Sequence, residues 1–403
     1  MKQPVKASAF SVPEHVRPLR QAVHRFMTER VEPVEHALDA RSPESRELLA
    51  ELQTQAKREG LWALGHPAEI GGGGMPFLDY VYVNEVQGRS DFGQYALGTW
   101  TLQDSLMLDR HAEGEVRDRL LDPLVRGAIG PSFAMTEPDV ASSDPTQLQT
   151  TARLENGEWV LNGRKWFITG AGDAAFTTVL CRTEPDGAPP HRAFSLIVVP
   201  AGTPGFRIVR ETPVLGIEGG HYELSLTDVR VPAGYLLGER GAGFAIAQER
   251  LGPGRIFHCM RWLGQAQRAF ELMCDRLNTR MLKGEKLGGR QLMQQHVFES
   301  WAQIQSCRLL TLDAAGKIDG GGGARVEIGA IKVVGARMLH DVIDRAVQVY
   351  GAAGLTDDTP LSRMYRAARF GRIYDGADEV HVVNVARRLL REFEQGDGWD
   401  FGA

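Results

Sequence analysis

The strongest constraint on the fold is a change of hydrophobic period along the chain. From about residue 14 to 128, apolar residues recur at three- and four-residue steps, which indicates helices. After Gly130 short strand-like runs take over, and from Gly241 onward long helical periods return. At 403 residues the chain is also too long for a single hydrophobic core. We therefore predict an α+β multidomain fold, with domains at 1–130, 131–240 and 241–403.

The middle segment has the features of an antiparallel β domain of about a hundred residues. Asn156-Gly157 and Asn162-Gly163 favour tight hairpin turns, because both central residues of such turns need a positive φ. Five runs rich in β-branched and apolar residues predict strands: 150–154, 166–169, 178–182, 194–199 and 223–227. No G-x-G-x-x-G follows a strand, so a Rossmann-type nucleotide site is not supported.

The last segment predicts a helical bundle. Four helices fit between residues 241 and 395, and the run 320–323 (GGGG) is typical of an exposed loop between two of them. The order of the three domains along the chain, from an all-helical domain to a β domain to a helical bundle, is unusual. Any cofactor must therefore bind through an architecture other than the common dinucleotide fold.

Composition excludes several function classes. A net charge of −5 gives no general reason to expect nucleic-acid or anionic-membrane binding. The four cysteines form no C-x-x-C pair and show no zinc-ligand spacing, so we predict no metal site and a reducing compartment. The start of the chain, MKQPVK at 1–6, leads into no apolar stretch, and no membrane-spanning run is present. The expectation is a soluble cytoplasmic protein without membrane insertion.

Five motifs in fixed order carry a resemblance to a known family. AMTEPDVASSD at 134–144 resembles the start of the middle domain of acyl-CoA dehydrogenases, and KWFITG at 165–170 resembles their flavin-contacting strand. Further matches are DVRVP followed by GAGF (228–244), QVYGAAG (348–354) and YDGADEV (374–380). Together with LGPGR at 251–255, these motifs are most similar to the branch containing family members 10 and 11. The resemblance implies an N-terminal all-α domain, a middle antiparallel β-barrel and a C-terminal four-helix bundle.

The same resemblance implies a reaction. Such an enzyme desaturates an acyl-CoA thioester to the trans-2-enoyl-CoA, with FAD as hydride acceptor and an electron-transfer flavoprotein as the next carrier. Asp375 stands where the family has its glutamate base, so we predict that it removes the α-proton. The alternative is that Asp375 only caps the helix starting near Ala377. We expect Asp378 to lie in the first turn of that helix, where its negative charge interacts favourably with the helix dipole.

Aspartate at the base position implies an atypical geometry. Its side chain is shorter than that of glutamate by one carbon–carbon bond, about 1.5 Å. Some relatives place the base just before an arginine on a bundle helix, but here Gly254 occupies that position. Arg255 is expected near the base or the thioester, with a surface or intersubunit arginine as the alternative.

The resemblance also implies the residues that bind FAD. Met135 and Thr136 would contact the pyrimidine edge, Phe167 and Thr169 the ring, and Ser142 the pyrophosphate or pantetheine unless it is only a turn serine. Arg280 and Gln348 would reach the adenine half of FAD in a neighbouring subunit, which requires a homodimer or homotetramer. The full predicted cofactor set is Phe133, Met135, Thr136, Ser142, Phe167, Thr169, Arg280, Gln348, Gly351, Ala352, Ala377 and Glu379.

We predict no catalytic or ligand-binding role for several other polar residues. An arginine run at steps of three is predicted to form a solvated or subunit-facing surface: Arg363, Arg366, Arg369 and Arg372. Lone histidines are more often structural residues than ligands, and we assign no role to His221, His258 and His381.

Three alternative functions stay open. Nitroalkane oxidases resemble this family and use an aspartate base, but they add an arginine where this chain has Val382. An acyl-CoA oxidase would differ mainly in oxygen access to the flavin. A non-catalytic, DNA-associated flavoprotein is disfavoured by the acidic end REFEQGDGWD at 391–400. The acyl pocket is expected around residues 97–104 and the bundle, while the chain length of the acyl group is undetermined.

Overall fold

The computed structural model describes residues 11–218 and 220–396. The N-terminal MKQPVK segment and the last part of the acidic C-terminal stretch lie outside these residues. The chain forms two compact units. Among the described residues, one unit comprises 11–56, 76–96 and 252–396, and the other comprises 57–75, 97–218 and 220–251.

The N-terminal segment is helical, as predicted. Its helices are α1 (Arg17–Phe26), α2 (Glu35–Asp39), α3 (Pro43–Arg58), α4 (Phe77–Gln87), α5 (Gly93–Ala96), α6 (Leu102–His111) and α7 (Gly114–Val125). A π-helical turn, Met27–Val31, directly follows α1. The glycine cluster 71–74 lies outside these helices, and Gly71 has a φ of 90°.

The middle segment forms an eight-stranded sheet in the order β6-β7-β3-β2-β4-β5-β8, with β1 pairing to β4. Its strands are β1 (Pro131–Ala134), β2 (Thr151–Glu155), β3 (Glu158–Thr169), β4 (Phe176–Arg182), β5 (Phe194–Pro200), β6 (Phe206–Glu211), β7 (His221–Pro232) and β8 (Leu236–Leu237). Most pairs are antiparallel, but β4 pairs in parallel with both β1 and β2. Closure of this sheet into a barrel stays a prediction.

One of the two predicted Asn-Gly turns is wrong. Asn156-Gly157 joins β2 to β3 with φ values of 52° and 84°, as a tight hairpin requires. Asn162-Gly163, in contrast, lies inside β3, where the register against β7 shifts by a bulge. The Asn162 amide bonds both the carboxylate and the main-chain N–H of Asp228, which holds the strand through the irregularity.

The sheet and two helices share one apolar core. Phe176, Phe194 and Leu237 are fully buried together with Leu108 and Leu124 from α6 and α7. Six of the seven residues of β4 and of β5 are buried, so these two strands lie inside the core and do not alternate between core and solvent. The core fixes β1 and β3, and these strands carry three of the predicted cofactor residues of this unit: Phe133, Phe167 and Thr169.

The last segment is the predicted bundle. Its long helices are α8 (Gly243–Thr279), α9 (Gln291–Asp319), α10 (Arg325–Tyr350) and α12 (Asp378–Gln395), with the shorter α11 (Leu361–Phe370) before the last. A small hairpin, β9 (Met281–Leu282) and β10 (Glu285–Lys286), follows α8. The central helix α10 packs against α9, α11 and α12. In the described part of the chain, no helix is both long and apolar enough to cross a membrane.

Candidate active site

The loop between α11 and α12 carries Asp375 in a strained conformation. Asp375 has a φ of 55°, in the left-handed region that residues other than glycine seldom occupy. Gly376 follows with a φ of 98°, and a Cβ there would lie 2.7 Å from His381 Nε2. Helix α12 starts at Asp378, its N-cap is Ala377, and no side chain caps it. The alternative that Asp375 only caps this helix is therefore wrong.

Three donors converge on the main-chain carbonyl of Asp375. Arg255 Nε and Nη2 lie 3.2 and 3.0 Å from this oxygen, and His381 Nε2 lies 3.0 Å from it. Arg255 is thus beside the predicted base, but it holds the peptide and not the carboxylate. Burial lowers the pKa of Arg255, while the Asp375 carboxylate acts in the opposite direction. We call Arg255 and His381 the carbonyl clamp.

The carboxylate of Asp375 has a partner that sequence reasoning missed. His258 Nε2 lies 3.3 Å from Asp375 Oδ2, and the Asp375 side chain is 22% exposed. A signal for His258 was present, because it follows Arg255 by three residues and so shares a helix face with it. The side chain of the predicted base is therefore accessible and held at one oxygen.

Asp378 anchors the start of α12. Its carboxylate is buried and lies 2.9 Å from Arg372 Nε, 3.2 Å from Arg337 Nε and 3.9 Å from Lys332 Nζ. Burial lowers the pKa of Lys332 to about 8, against the raising effect of Asp378 and Asp375. The predicted first-turn position of Asp378 is correct, but the residue also fixes the loop that carries the base.

Two arginines of the predicted surface run have structural partners. Arg363 lies 2.9 Å from Asp39 and 2.7 Å from Asp91, and Arg372 binds Asp378. The Arg363 side chain is 22% exposed, so the prediction of a solvated surface is wrong for this residue. Arg372 is 36% exposed, and for it a solvated or subunit-facing surface stays a prediction. Residues spaced three apart point in progressively different directions around a helix, so the arginines of this run have different surroundings.

In the β-containing unit, a buried ion pair organises the motif at 134–144. Glu137 is 3% exposed and accepts hydrogen bonds from the main-chain N–H groups of Gln149 and Thr150 at 2.7 and 2.9 Å. Lys165 Nζ on β3 donates to Glu137 and to the Met135 carbonyl, both at 2.9 Å. This pair fastens the segment with the predicted flavin contact Met135 onto β3.

Phe167 occupies an exposed bulge of β3. The register against β7 shifts between Lys165 and Ile168, Phe167 has a φ of 53°, and the residue is 45% exposed. Bulges often redirect a side chain next to a functional site. Thr169, two residues later, is also exposed, and its hydroxyl lies 3.1 Å from His221 Nδ1. The predicted ring contacts Phe167 and Thr169 thus face away from the core.

The remaining cofactor candidates of this unit have internal partners. The Thr136 hydroxyl donates to the Trp166 carbonyl at 2.5 Å. The Ser142 hydroxyl accepts from the Glu137 N–H at 2.9 Å and so closes its own loop, as the turn-serine alternative expects. The guanidinium of Arg250 lies over the Phe133 ring at 4.5 Å. These contacts order the segment against β3 and α8.

The region expected to line the acyl pocket also contains a buried ion pair. Asp104 is 3% exposed, and Arg250 binds both of its carboxylate oxygens at 3.3 and 2.9 Å. Leu97 is buried as well. The pocket assignment for this segment stays a prediction.

The residues predicted to reach a neighbouring cofactor form a separate group. Arg280 directly follows α8, and Gln348 lies in the last turn of α10. Along a continuous helix, Thr279 is roughly 36 Å from Arg255, so Arg280 lies far from the Asp375 loop of its own chain. Arg280 and Gln348 are both exposed, and so are the nearby cofactor candidates Gly351 and Ala352. Glu379, in the first turn of α12, is exposed as well.

Comparison with known proteins decides the family. Three models match in order: acyl-CoA dehydrogenase N-terminal domain at 13–128, middle domain at 132–229 and C-terminal domain at 241–390. The chain belongs to the acyl-CoA dehydrogenase family. This confirms the resemblance, the helical–β–helical order and the expectation of an FAD-dependent oxidoreductase class.

Individual relatives agree with this membership. The chain is 45% identical over 352 residues to a Mycobacterium tuberculosis protein named "Probable acyl-CoA dehydrogenase FadE2", covering 85% of this chain and 86% of that protein. It is 40% identical over 355 residues to acyl-CoA dehydrogenase family member 11 of Pongo abelii, covering 86% of this chain and 45% of the relative. The chain therefore spans about half the length of the family member 11 proteins that it matches.

A solved structure shares the whole architecture. A Mycobacterium abscessus protein assigned to the acyl-CoA dehydrogenases matches with a TM-score of 0.88 at 36% identity, covering 96% of this chain and all of that one. Family membership thus rests on sequence and fold together. It does not by itself identify the base, and the contacts of Asp375 bear on that question.

Proposed function

We propose that this protein is an FAD-dependent dehydrogenase that converts an acyl-CoA thioester to its trans-2-enoyl-CoA, with Asp375 as the base for the α-proton. The observation that carries this proposal is the Asp375 loop. Its carboxylate is partly exposed and takes no part in helix capping, while its carbonyl is held by Arg255 and His381. A residue that several contacts hold in a rare backbone conformation is typical of a functional site.

The main chain of Asp375 is also suited to the reaction. No acceptor for its N–H is present among residues 11–218 and 220–396. We propose that this N–H donates to the thioester oxygen, where negative charge develops as the α-proton leaves. The carbonyl clamp then has a direct purpose, because fixing the Asp375 peptide limits the directions in which its N–H and its side chain can point.

The residues of the β-containing unit fit a flavin. Phe167 offers an exposed aromatic ring on a bulge, and the Thr169 hydroxyl is exposed beside it on the same strand. Met135 and Thr136 are fastened to β3 by Lys165 and the Trp166 carbonyl. FAD, when bound, supplies the hydride acceptor that no amino-acid side chain provides. We propose Phe133 and Ser142 as further FAD contacts in this unit, and Ala377 and Glu379 as FAD contacts in the other unit.

We further propose a homodimer or homotetramer. Phe298, Trp301 and Leu309 share a broad face of α9 and are 68%, 53% and 47% exposed, more apolar surface than a helix of a monomer usually presents. In such an assembly Arg280, Gln348, Gly351 and Ala352 would contact the adenine half of a neighbouring FAD. We propose an electron-transfer flavoprotein as the electron acceptor. The free cysteines among the described residues fit the cytoplasmic location that we also propose.

Anaerobic titration tests the reaction. Purified protein with FAD is mixed with straight-chain and branched acyl-CoAs, and bleaching of the flavin absorbance is followed. We expect at least one acyl-CoA to reduce the flavin. Reduction by a nitroalkane and by no thioester would replace the proposal with a nitroalkane oxidase. Rapid re-oxidation of the bleached enzyme by air would indicate an acyl-CoA oxidase.

Asp375→Asn tests the base. The amide has nearly the same shape but cannot accept the α-proton, so bleaching should be lost while the FAD content is unchanged. The matched control is Asp122→Asn, which changes an exposed aspartate on α7 that is paired with Arg126. Bleaching by Asp375→Asn at the wild-type rate would show that another group is the base.

A further inference from the structure

His258 stands between an arginine and the proposed base. Its Nδ1 lies 2.9 Å from Arg261 Nη2, and its Nε2 lies 3.3 Å from Asp375 Oδ2. The imidazole ring also packs against Tyr374, with ring centroids 5.1 Å apart, and against Trp262, with centroids 6.0 Å apart. Both ring nitrogens therefore have defined partners, and the ring plane is fixed by two aromatic neighbours.

These contacts determine where the proton of the imidazole resides. A guanidinium group only donates hydrogen bonds, so His258 Nδ1 must accept from Arg261 and carries no hydrogen. The single N–H of the neutral ring is then on Nε2, the nitrogen that lies nearest Asp375. Arg261 thus selects one tautomer of the neutral ring.

We propose that His258, oriented by Arg261, is a positioning residue that donates a hydrogen bond from Nε2 to Oδ2 of Asp375. This inference rests on the proposed function of Asp375 as the base. With Oδ2 held, the other carboxylate oxygen is left to receive the α-proton. The arrangement acts through Asp375, and neither His258 nor Arg261 exchanges a proton in the reaction.

The need for such a positioning residue follows from the length of aspartate. An aspartate carboxylate reaches about 1.5 Å less far than that of glutamate, so a small rotation moves it out of range of the substrate. A misplacement of about 1 Å can cost on the order of a hundredfold in rate. The carbonyl clamp fixes the peptide of Asp375 but leaves its side chain free to rotate. The hydrogen bond from His258 restricts that remaining motion.

Two substitutions separate positioning from general structural damage. His258→Leu removes the donor, whereas His258→Gln keeps an N–H donor at a similar distance along the side chain. We expect kcat to fall roughly tenfold to a hundredfold in the leucine variant and to recover most of this loss in the glutamine variant, with KM little changed in both. The matched control is His15→Leu, which removes an exposed histidine paired with Asp79 at 2.8 Å. It should leave kcat unchanged.

The proton step can be measured apart from hydride transfer. With the flavin chemically reduced, C2 hydrogens of a straight-chain acyl-CoA can exchange with D2O only through the base, and mass spectrometry follows this exchange. The probe is the straight-chain acyl-CoA that bleaches wild-type enzyme fastest. We expect exchange to be slowed in His258→Leu, largely restored in His258→Gln and absent in Asp375→Asn. Equal exchange in wild type and His258→Leu would overturn the proposal, and so would a glutamine variant as slow as the leucine variant.

The tautomer provides a readout that needs no substrate. In protein with 15N-labelled histidine, the ring nitrogen shifts distinguish a protonated from an unprotonated nitrogen, and His258→Gln identifies the signal of residue 258. We expect a protonated Nε2 and a bare Nδ1, with this preference lost in Arg261→Met. A proton on Nδ1 would refute the inference. If no acyl-CoA bleaches the flavin but the tautomer is as expected, the proposed reaction fails while the hydrogen-bond arrangement stands.

Discussion

Phe167 and Asp375 adopt the same rare backbone conformation, but they are held in it by different means. Their φ values are 53° and 55°, and each is a principal candidate of its own unit. Phe167 belongs to β3, which pairs with β7 on both sides of the bulge. Asp375 belongs to a loop, and its main partners are the side chains of Arg255, His258 and His381.

The two regions also differ in how a buried charge supports them. Behind β3, the Glu137 carboxylate binds Lys165 and two main-chain N–H groups, so it is satisfied largely by fixed backbone. Behind the Asp375 loop, Asp378 relies on ionic side chains. Main-chain support is rigid and local, whereas side-chain support responds to pH and to substitution. We expect the first region to lose more stability when its charge is removed and the second to be more adjustable.

Glu137→Gln should have the largest effect on stability. Lys165 is 0% exposed, and its charge would lose its only described ionic partner. Breaking a buried pair on one side typically costs about 3–5 kcal/mol. Urea unfolding of the FAD-saturated protein measures this loss. Asp122→Asn is the matched control, because it removes one partner of an exposed pair and should change stability by less than about 1 kcal/mol. A loss from Glu137→Gln no larger than the control would abolish the distinction between the two regions.

Lys332→Met should show the pH sensitivity of the second region. The pKa of Lys332 is about 8 in the folded protein, because burial lowers it from the ordinary 10.5. Between these values the unfolded chain binds the proton and the folded chain does not, so wild-type stability rises with pH. The variant lacks this rise. The wild-type advantage should therefore grow by up to about 3 kcal/mol from pH 7.5 to 10.5 in urea unfolding.

A second lysine provides the control for this pH experiment. Lys317 is partly exposed, and its hydrogen bond to Glu327 raises its pKa. Lys317→Met should therefore give a difference from wild type that is flat or falls as pH rises. The same rise in both variants would show that the effect does not come from the buried ammonium.

Asp378→Asn should cost less than Glu137→Gln, roughly 1–3 kcal/mol. The side chains of Arg337 and Arg372 are 51% and 36% exposed, so both can return to water when their partner is lost. Only Lys332 then stays buried, and its lowered pKa allows it to lose its proton. Urea unfolding at pH 7.5 and pH 9 measures both effects. A larger loss than in Glu137→Gln, or one that does not shrink at pH 9, would reverse the proposed ranking.

Tyr374→Phe should have the smallest effect. The Tyr374 hydroxyl accepts a hydrogen bond from Trp262 Nε1 at 2.9 Å, and Trp262 is 4% exposed. Loss of one neutral hydrogen bond costs about 1 kcal/mol, with the aromatic packing retained. The same unfolding assay checks this value. A loss above about 3 kcal/mol would mean that this bond supports the loop as strongly as the charged groups do.

The sequence predicted the first region better than the second for a physical reason. The apolar runs 150–154 and 166–169 and the Asn156-Gly157 turn are local signals, so β2, the last residues of β3 and the hairpin between the two strands followed from neighbouring residues. The bulge at Asn162-Gly163 did not, because a tight turn and a bulge can share the same residues. Family motifs pointed to Phe167 and Asp375, yet alternation alone did not reveal that Phe167 is exposed.

The partners of Asp375 were hidden by sequence distance. Arg255 lies 120 residues from Asp375, and its position near the base was expected only through the family resemblance. His258 and His381 received no role, since a single histidine on a helix is most often structural. Lys332 and the ionic role of Asp378 had no local signal either. Such clusters form when helices pack, and their members become recognisable only in three dimensions.

The carbonyl clamp has a consequence for how this position can vary. Arg255 and His381 grip an atom that every amino acid possesses, so they do not distinguish one side chain at position 375 from another. The contacts of Arg255 and His381 are therefore independent of the side chain at position 375. Of Arg255, His381 and His258, only His258 contacts that side chain. A residue that tolerates the left-handed φ of 55° could therefore replace aspartate at position 375 and still be held by the same two side chains. A different reactive side chain at position 375 would then require changes only in the turn of α8 from Arg255 to His258, because that turn carries the residue that contacts the side chain.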